Sequence, residues 1–101
     1  MEGSARISPA VLAQYAADAA QEVPGVRGLV ESRFPRRGAV RVTNEDGRLA
    51  IEVHVSVDWG TPIPTVARGV QASVADYLGR TTASRPARVD VVVDQIGPGQ
   101  A

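Results

Sequence analysis

The feature that most constrains the fold is a strictly alternating segment near the middle of the chain. Every odd position from 49 to 57 carries a large aliphatic side chain: Leu49, Ile51, Val53, Val55 and Val57. The positions between them carry small or polar side chains: Ala50, Glu52, His54 and Ser56. Successive side chains of a β-strand point to opposite faces, so this pattern predicts a strand with one apolar face. We therefore expect a sheet whose apolar face is covered and whose polar face meets water or a partner.

A helix is predicted ahead of this strand, between Ser8-Pro9 and Pro24-Gly25. A serine can cap the first turn and a proline suits the first helical position, whereas a Pro-Gly pair ends a helix. The apolar residues of this segment recur at helical spacing: Ile7, Val11, Leu12, Tyr15, Ala16, Ala19 and Val23. This stripe predicts the face on which the helix packs against the sheet.

The rest of the chain predicts a second helix and three further strands. The expected segments are a short strand at Val26–Glu31, a hairpin strand at Val40–Thr43 with its turn at Asn44–Gly47, a helix from about Pro64 to Gly79, a polar loop at Thr81–Pro86 and a strand from Arg88 to Ile96. The apolar stripe of the second helix comprises Ile63, Val66, Ala67, Val70, Val74, Tyr77 and Leu78. The order α-β-β-β-α-β, with two amphipathic helices on one face of a small mixed sheet, indicates an α+β two-layer sandwich.

The length of 101 residues fits one domain, which we assign to residues 1–101 with an ordered core from about residue 7 to residue 96. No apolar run follows Arg6, so no secretory signal is expected. No stretch approaches the roughly 18 consecutive apolar residues of a membrane-spanning helix. The expected compartment is therefore the cytosol.

The composition narrows the classes of function. The chain has no cysteine, which excludes a disulfide scaffold and thiolate chemistry, and its single histidine excludes a multi-histidine metal site within one chain. Eleven basic and eleven acidic residues balance, so no global field attracts nucleic acid or an anionic membrane. We therefore expect neither enzymatic activity nor a cofactor.

His54 is the one side chain that titrates near neutral pH. It shares the polar face of the alternating strand with Glu52 and Ser56, about 7 Å away at two residues' spacing. That spacing is too long for a Ser–His hydrogen bond within one strand, so an acid–base role would need partners from neighbouring strands. We interpret His54 as an exposed or interfacial structural residue.

Two further features are candidates for binding a partner. One is the basic loop that contains Arg33, Phe34, Arg36 and Arg37, which could contact phosphates or could be a solvated loop with Phe34 folded onto the sheet edge. The other is Trp59, which we expect to close one end of the core, with an exposed partner anchor as the alternative. Together with Glu52 and His54, these residues form the predicted set of partner-binding candidates.

Several segments resemble the alkaline shock protein family of Gram-positive bacteria. Ile7–Leu12 and Glu22–Val26, at the two ends of the first helix, are similar to the opening of that family. Asp58-Trp59-Gly60 follows the alternating strand, where the family has an aromatic or apolar residue before glycine. Ile63–Val74 and Val89–Val93 are similar to its second helix and closing strand.

The resemblance implies a non-enzymatic cytosolic protein that associates with itself and is held near the membrane by a separate membrane-anchored partner. It also implies a role in cell-envelope homeostasis under stress, and it carries over no catalytic residue. The leading hypothesis is therefore an interaction or scaffold protein, peripheral to the membrane through that partner. The alternative is a small RNA-binding module using the loop from Arg33 to Arg37, although the neutral net charge makes nucleic acid the less favoured partner.

Overall fold

The computed structural model describes residues 7–31, 38–82 and 85–97. The elements are α1 Pro9–Gln21, β1 Val26–Leu29, β2 Val40–Glu45, β3 Arg48–Val57, α2 Ile63–Thr82 and β4 Arg88–Ile96. Their order is the predicted α-β-β-β-α-β, and the helices and the sheet form the two layers of an α+β sandwich. The predicted fold class is confirmed.

β3 lies at the centre of a mixed sheet. β1 and β2 run antiparallel to β3, and β4 runs parallel to it. The backbone N–H of His54 donates to the Ala39 C=O, and its C=O accepts from the Val30 N–H, both at 2.9 Å. A strand residue directs both backbone groups to the same side. β1 and β2 therefore lie end to end along one edge of β3, and β4 lies along the other.

The hairpin between β2 and β3 closes through a two-residue turn. Asp46 and Gly47 have φ angles of 55° and 82°, the left-handed values that a type I′ turn requires at both central positions. The Asn44 side-chain oxygen accepts a hydrogen bond from the Gly47 N–H at 2.8 Å. Glu45 then pairs with Arg48, which fixes the register of the whole hairpin.

The core is thin and consists of small aliphatic side chains between the helices and the inner face of the sheet. Its buried members are Leu12, Ala16, Ala19, Ala20, Ile51, Val53, Val55, Val57, Val66, Val70, Val74 and Leu78. The predicted apolar face of β3 is thus confirmed. Alanines on α1 let this helix approach the sheet closely, and the Tyr15 and Tyr77 rings, 5.9 Å apart and edge to face, join the two helices.

The predicted stripe of α1 is only partly correct. Leu12 and Ala16 are buried, but Ile7 and Val11 are 38% and 42% exposed. Each helical residue rotates the chain by about 100°, so Val11 lies on the flank of the helix beside Leu12. The start of α1 is as predicted, since the Ser8 hydroxyl accepts from the Val11 N–H at 3.2 Å.

α2 is longer than predicted. It ends at Thr82 and not near Gly79, so the loop expected at residues 81–86 begins within the helix. The Thr82 hydroxyl donates to the Leu78 C=O at 2.7 Å, within this last turn. Neither helix in the described ranges has the length and apolar character needed to cross a membrane.

Gly25 lies close against the start of α2. Its φ is +97°, and a Cβ placed there would lie 2.7 Å from Val66 Cγ2 and 2.9 Å from Thr61 Cγ2. Only glycine meets both conditions without strain. The residue predicted to end the first helix therefore also seats β1 beneath α2.

Candidate functional site

The polar face of the sheet is the principal candidate site, because both helices pack on the opposite face. We call it the outer face and define it by the side chains of Arg41, Glu52, His54, Arg88 and Asp94. In the register of β3 and β4, Glu52 lies opposite Asp90 and His54 lies opposite Val92. The outer face thus combines the candidate residues Glu52 and His54 with residues from β2 and β4.

His54 lies between two carboxylates. Its Nε2 is 2.6 Å from Glu52 Oε2, and its Nδ1 is 2.6 Å from Asp94 Oδ2. A carboxylate only accepts hydrogen bonds, so a doubly protonated imidazolium can donate to both at once. The His54 side chain is 15% exposed and each carboxylate side chain is 34% exposed. The three side chains form a clamp that joins β3 to β4 on the outer face.

The surroundings of His54 raise the pKa of its imidazole above the ordinary value of 6.5. Burial lowers the pKa. The hydrogen bonds to Glu52 and Asp94 and the negative charge of both groups raise it, and together they outweigh the effect of burial. The positive charge of His54 is therefore favoured in the folded state beyond what a free histidine shows.

The clamp is suited to holding strands together and poorly suited to catalysis. A general base needs a free ring nitrogen within reach of substrate, and both nitrogens of His54 already face carboxylates. Glu52 and Asp94 contact opposite sides of the ring, so they cannot share one metal ion with a single His54 nitrogen. No group of three potential ligands suitable for a metal occurs among the residues that the structure describes.

Ion pairs neutralise the rest of the outer face. Arg88 contacts Asp90 at 2.9 Å and Glu45 at 3.1 Å, which links β4 to β2 across the central strand. Arg41 lies 3.8 Å from Glu52 and adds a cation beside the clamp. The outer face is therefore charged but locally balanced.

Trp59 does not close the core, contrary to the expectation. Its side chain is 66% exposed. It follows β3 by two residues, and Ile96, the β4 partner of Val57, is 48% exposed at the same end of the sheet. A residue in this turn is buried or exposed according to the path of the chain into α2, which packs on the inner face of the sheet. The alternative interpretation, an exposed partner anchor, remains a prediction.

A shallow groove of about 520 Å³ lies near this end of the sheet, lined in part by Arg27, Gly28, Ser56 and Ile96. Gly28 leaves open space where another residue would project a side chain. The Arg27 guanidinium donates to the Gly97 C=O and lies 4.0 Å from Asp58, so its charge is already engaged. Arg27 therefore brings no unpaired positive charge to the groove.

Arg33, Phe34, Arg36 and Arg37 lie outside the described residues, so the structure leaves both interpretations of the basic loop as predictions. Neither carboxylate partner of His54 was predicted from the sequence. At two residues' spacing the short Ser56 side chain does not reach the ring, whereas the longer Glu52 side chain does. Asp94 could have been suspected only as one of two acids, with Asp90, on the polar face of the last strand.

Comparison with solved structures shows the same fold. A double variant of MamM CTD has a TM-score of 0.64 and 19% identity, covering 91% of this chain and 87% of that chain. The copper form of MamM CTD has a TM-score of 0.62 and 20% identity, covering 91% and 90%. At these identities the likeness concerns the fold alone.

Comparison of the sequence with curated proteins gives no significant match. The family comparison gives one that covers almost the whole chain, residues 1–98, and the matched family is described by a cell envelope-related function. This range includes both helices, all four strands, the clamp and Trp59. The chain therefore belongs to the alkaline shock protein family.

Proposed function

We propose that the protein is a non-catalytic adaptor of the cell envelope that associates with copies of itself and is held near the membrane by a membrane-anchored partner. The observation that carries this proposal is the exposure of Trp59. The chain has only four aromatic residues, and its one tryptophan lies outside the core. Exposed tryptophans beside other apolar side chains are typical of binding surfaces.

The chemistry of the outer face also supports an adaptor. His54 is engaged at both ring nitrogens, and the arginines of β2 and β4 are paired with acids. Such a surface can form specific polar contacts with another protein, while it offers no free nucleophile–base pair in the described ranges. Membership of the alkaline shock protein family supports the link to the envelope.

The membrane-anchored partner is tested by affinity capture of the tagged full-length chain from detergent-solubilised membranes. We expect the wild type to retain an integral membrane protein. The amount captured by Trp59→Ala should be at least tenfold lower, because the variant lacks the aromatic anchor. Val11→Ala removes an exposed aliphatic side chain from α1 and is the matched control. Equal capture by the wild type and Trp59→Ala would show that Trp59 is not the anchor.

Self-association is tested separately by light scattering coupled to size-exclusion chromatography over a wide range of protein concentration. We expect the mass of the wild-type species to exceed 10.6 kDa and to rise with concentration. A monomer at every concentration would contradict this half of the proposal and would leave the membrane-partner half intact.

A further inference from the structure

The far edge of β4 carries backbone groups that are free to pair. In a parallel ladder, one residue of each opposed pair directs its backbone groups towards the partner strand and the other directs them away. The backbone groups of His54 are directed away from β4, to the β1 and β2 edge. Its partner Val92 therefore bonds to β3, and the flanking residues Val91 and Val93 direct their N–H and C=O groups away from the sheet. No described strand pairs with this edge.

A side-chain contact independently supports this orientation. The Gln71 amide, on α2, donates to the Val89 C=O at 3.0 Å. A carbonyl that reaches a helix side chain in this way points off the ladder, and alternation along the strand gives Val91 the same direction. Gln71 therefore occupies the Val89 C=O at this edge and does not bond to the N–H or C=O group of Val91.

The side chains of the same valines are incompletely covered. Val89, Val91 and Val93 lie on the inner face and are half-buried, whereas the aliphatic residues of β3 beside them are fully buried. A further strand along β4 would extend the apolar inner face and cover these valines. An edge with free backbone groups and half-covered valines is suited to strand addition.

We propose that two copies of the chain pair through β4, antiparallel and about a two-fold axis at Val91. This inference rests on the self-association in the proposed function and specifies its surface. The two sheets then form one continuous sheet with the helices of both copies on one side. Val91 of each copy exchanges backbone hydrogen bonds with Val91 of the other, and Val89 faces Val93 of the second copy.

The charges of the outer face and the Gln71 contact together favour this register. A centre at Val89 would also pair opposite charges, Arg88 with Asp90, but the Val89 C=O already accepts from Gln71. A centre at Val91 places Arg88 opposite Asp94 of the second copy, twice by symmetry. A centre one residue later, at Val92, places Asp90 opposite Asp94 of the second copy, and a centre at Asp90 places that carboxylate opposite its own copy. Like charges directly opposite each other are unfavourable and opposite charges are favourable. A centre midway between two residues would set the inward-facing valines of one copy opposite outward-facing residues of the other. Such registers are excluded because the valines would then lose their shared buried face.

The register is testable by disulfide trapping because the chain has no native cysteine. With the centre at Val91, Asp90 of one copy faces Val92 of the other in a non-hydrogen-bonded pair, whose Cα atoms are about 4.5 Å apart. This distance lies within the disulfide range. Asp90→Cys and Val92→Cys are purified separately with tags of different size, then oxidised alone and as a mixture. Ala72→Cys, on the exposed side of α2, reports collisional cross-linking.

The expected result is a mixed disulfide between Asp90→Cys and Val92→Cys, well above the Ala72→Cys background, with little product from either variant alone. A Val92→Cys homodimer would place the axis at Val92, and an Asp90→Cys homodimer would place it at Asp90; either overturns the register. Background cross-linking in all three, while light scattering still shows a dimer, overturns pairing through β4 and leaves self-association standing. A wild type that is monomeric overturns both.

A charge variant gives a second readout without cysteines. Arg88→Glu converts two attractive cross-strand pairs into repulsive ones, and we expect the dimer dissociation constant to rise roughly tenfold. Glu45→Gln is the control, since it removes an intrachain partner of Arg88 but does not lie on β4. Equal dissociation constants for Arg88→Glu and the wild type would contradict the register.

Discussion

His54 Nδ1 lies 2.6 Å from Asp94 Oδ2, although forty residues separate the two along the chain. The contact exists because β3 and β4 run parallel and adjacent, so their outward side chains meet on one face. Glu52 occupies the other ring nitrogen at the same distance. An imidazolium between two carboxylates makes the contribution of the clamp to the β3–β4 contact depend on a proton.

The stability of the fold is expected to depend on pH through His54. Its pKa is raised in the folded state, so the clamp contributes its full stabilisation below about pH 6.5 and loses it as the pH rises through the folded-state pKa. We expect His54→Gln to lower the free energy of unfolding by about 1–2 kcal/mol near pH 6, and by progressively less as the pH increases. Urea denaturation of both proteins across this range measures the difference. A difference that is constant with pH would contradict the prediction.

Gly25→Ala is expected to destabilise the protein by about 2–4 kcal/mol, since it combines a left-handed φ with overlap of the buried Val66 side chain. Gly28→Ala is the matched control, because its Cβ meets open space and its φ is not left-handed. We expect that variant to change stability by less than about 1 kcal/mol. Thermal and chemical denaturation of both variants checks the contrast, and similar losses in the two would show that the Gly25 contact is unimportant.

The core is expected to be sensitive to truncation of α2 and insensitive to truncation of the flank of α1. Leu78 is fully buried, so Leu78→Ala should cost about 2–5 kcal/mol through lost burial and the cavity left behind. Val11 is 42% exposed, so Val11→Ala should cost less than about 1 kcal/mol. Unfolding midpoints at a fixed pH compare the two. A large loss in Val11→Ala would restore it to the packing face that the sequence predicted.

Trp59 is expected to report on binding directly, as the only tryptophan of the chain. In the free chain its exposure predicts red-shifted emission and efficient quenching by a neutral quencher such as acrylamide. If Trp59 is a partner anchor, the solubilised membrane fraction that contains the partner should shift the emission to the blue and reduce quenching. Emission that is unchanged under conditions of complete capture would place the partner elsewhere.

Much of the fold could be predicted because its signals are local. The alternation of β3, the Ser-Pro start of α1 and the glycine of the hairpin turn each involve residues within a few positions of one another. The order of the strands could not be predicted in this way. The end-to-end placement of β1 and β2 is visible in the backbone bonds of His54, which join segments far apart in sequence.

The candidate site was less predictable for the same reason. Glu52 and His54 were selected as polar residues of one strand, but the third member of the clamp, Asp94, comes from a parallel neighbour whose position no local pattern gives. The failure at Trp59 has a different cause. A residue in a turn is buried or exposed according to the path of the next element, and the path of α2 is set by packing at positions such as Gly25.

The arrangement of β1 and β2 has a consequence for where this chain can be altered. The position of β1 is set by Gly25 and that of β2 by its turn at Asp46 and Gly47, so each strand is anchored at the end remote from residues 32–37. Substitutions, deletions or inserted peptides in that stretch leave both anchors in place. We therefore expect an affinity tag or a fluorophore introduced in that stretch, which includes Arg36 and Arg37, to have little effect on the sheet.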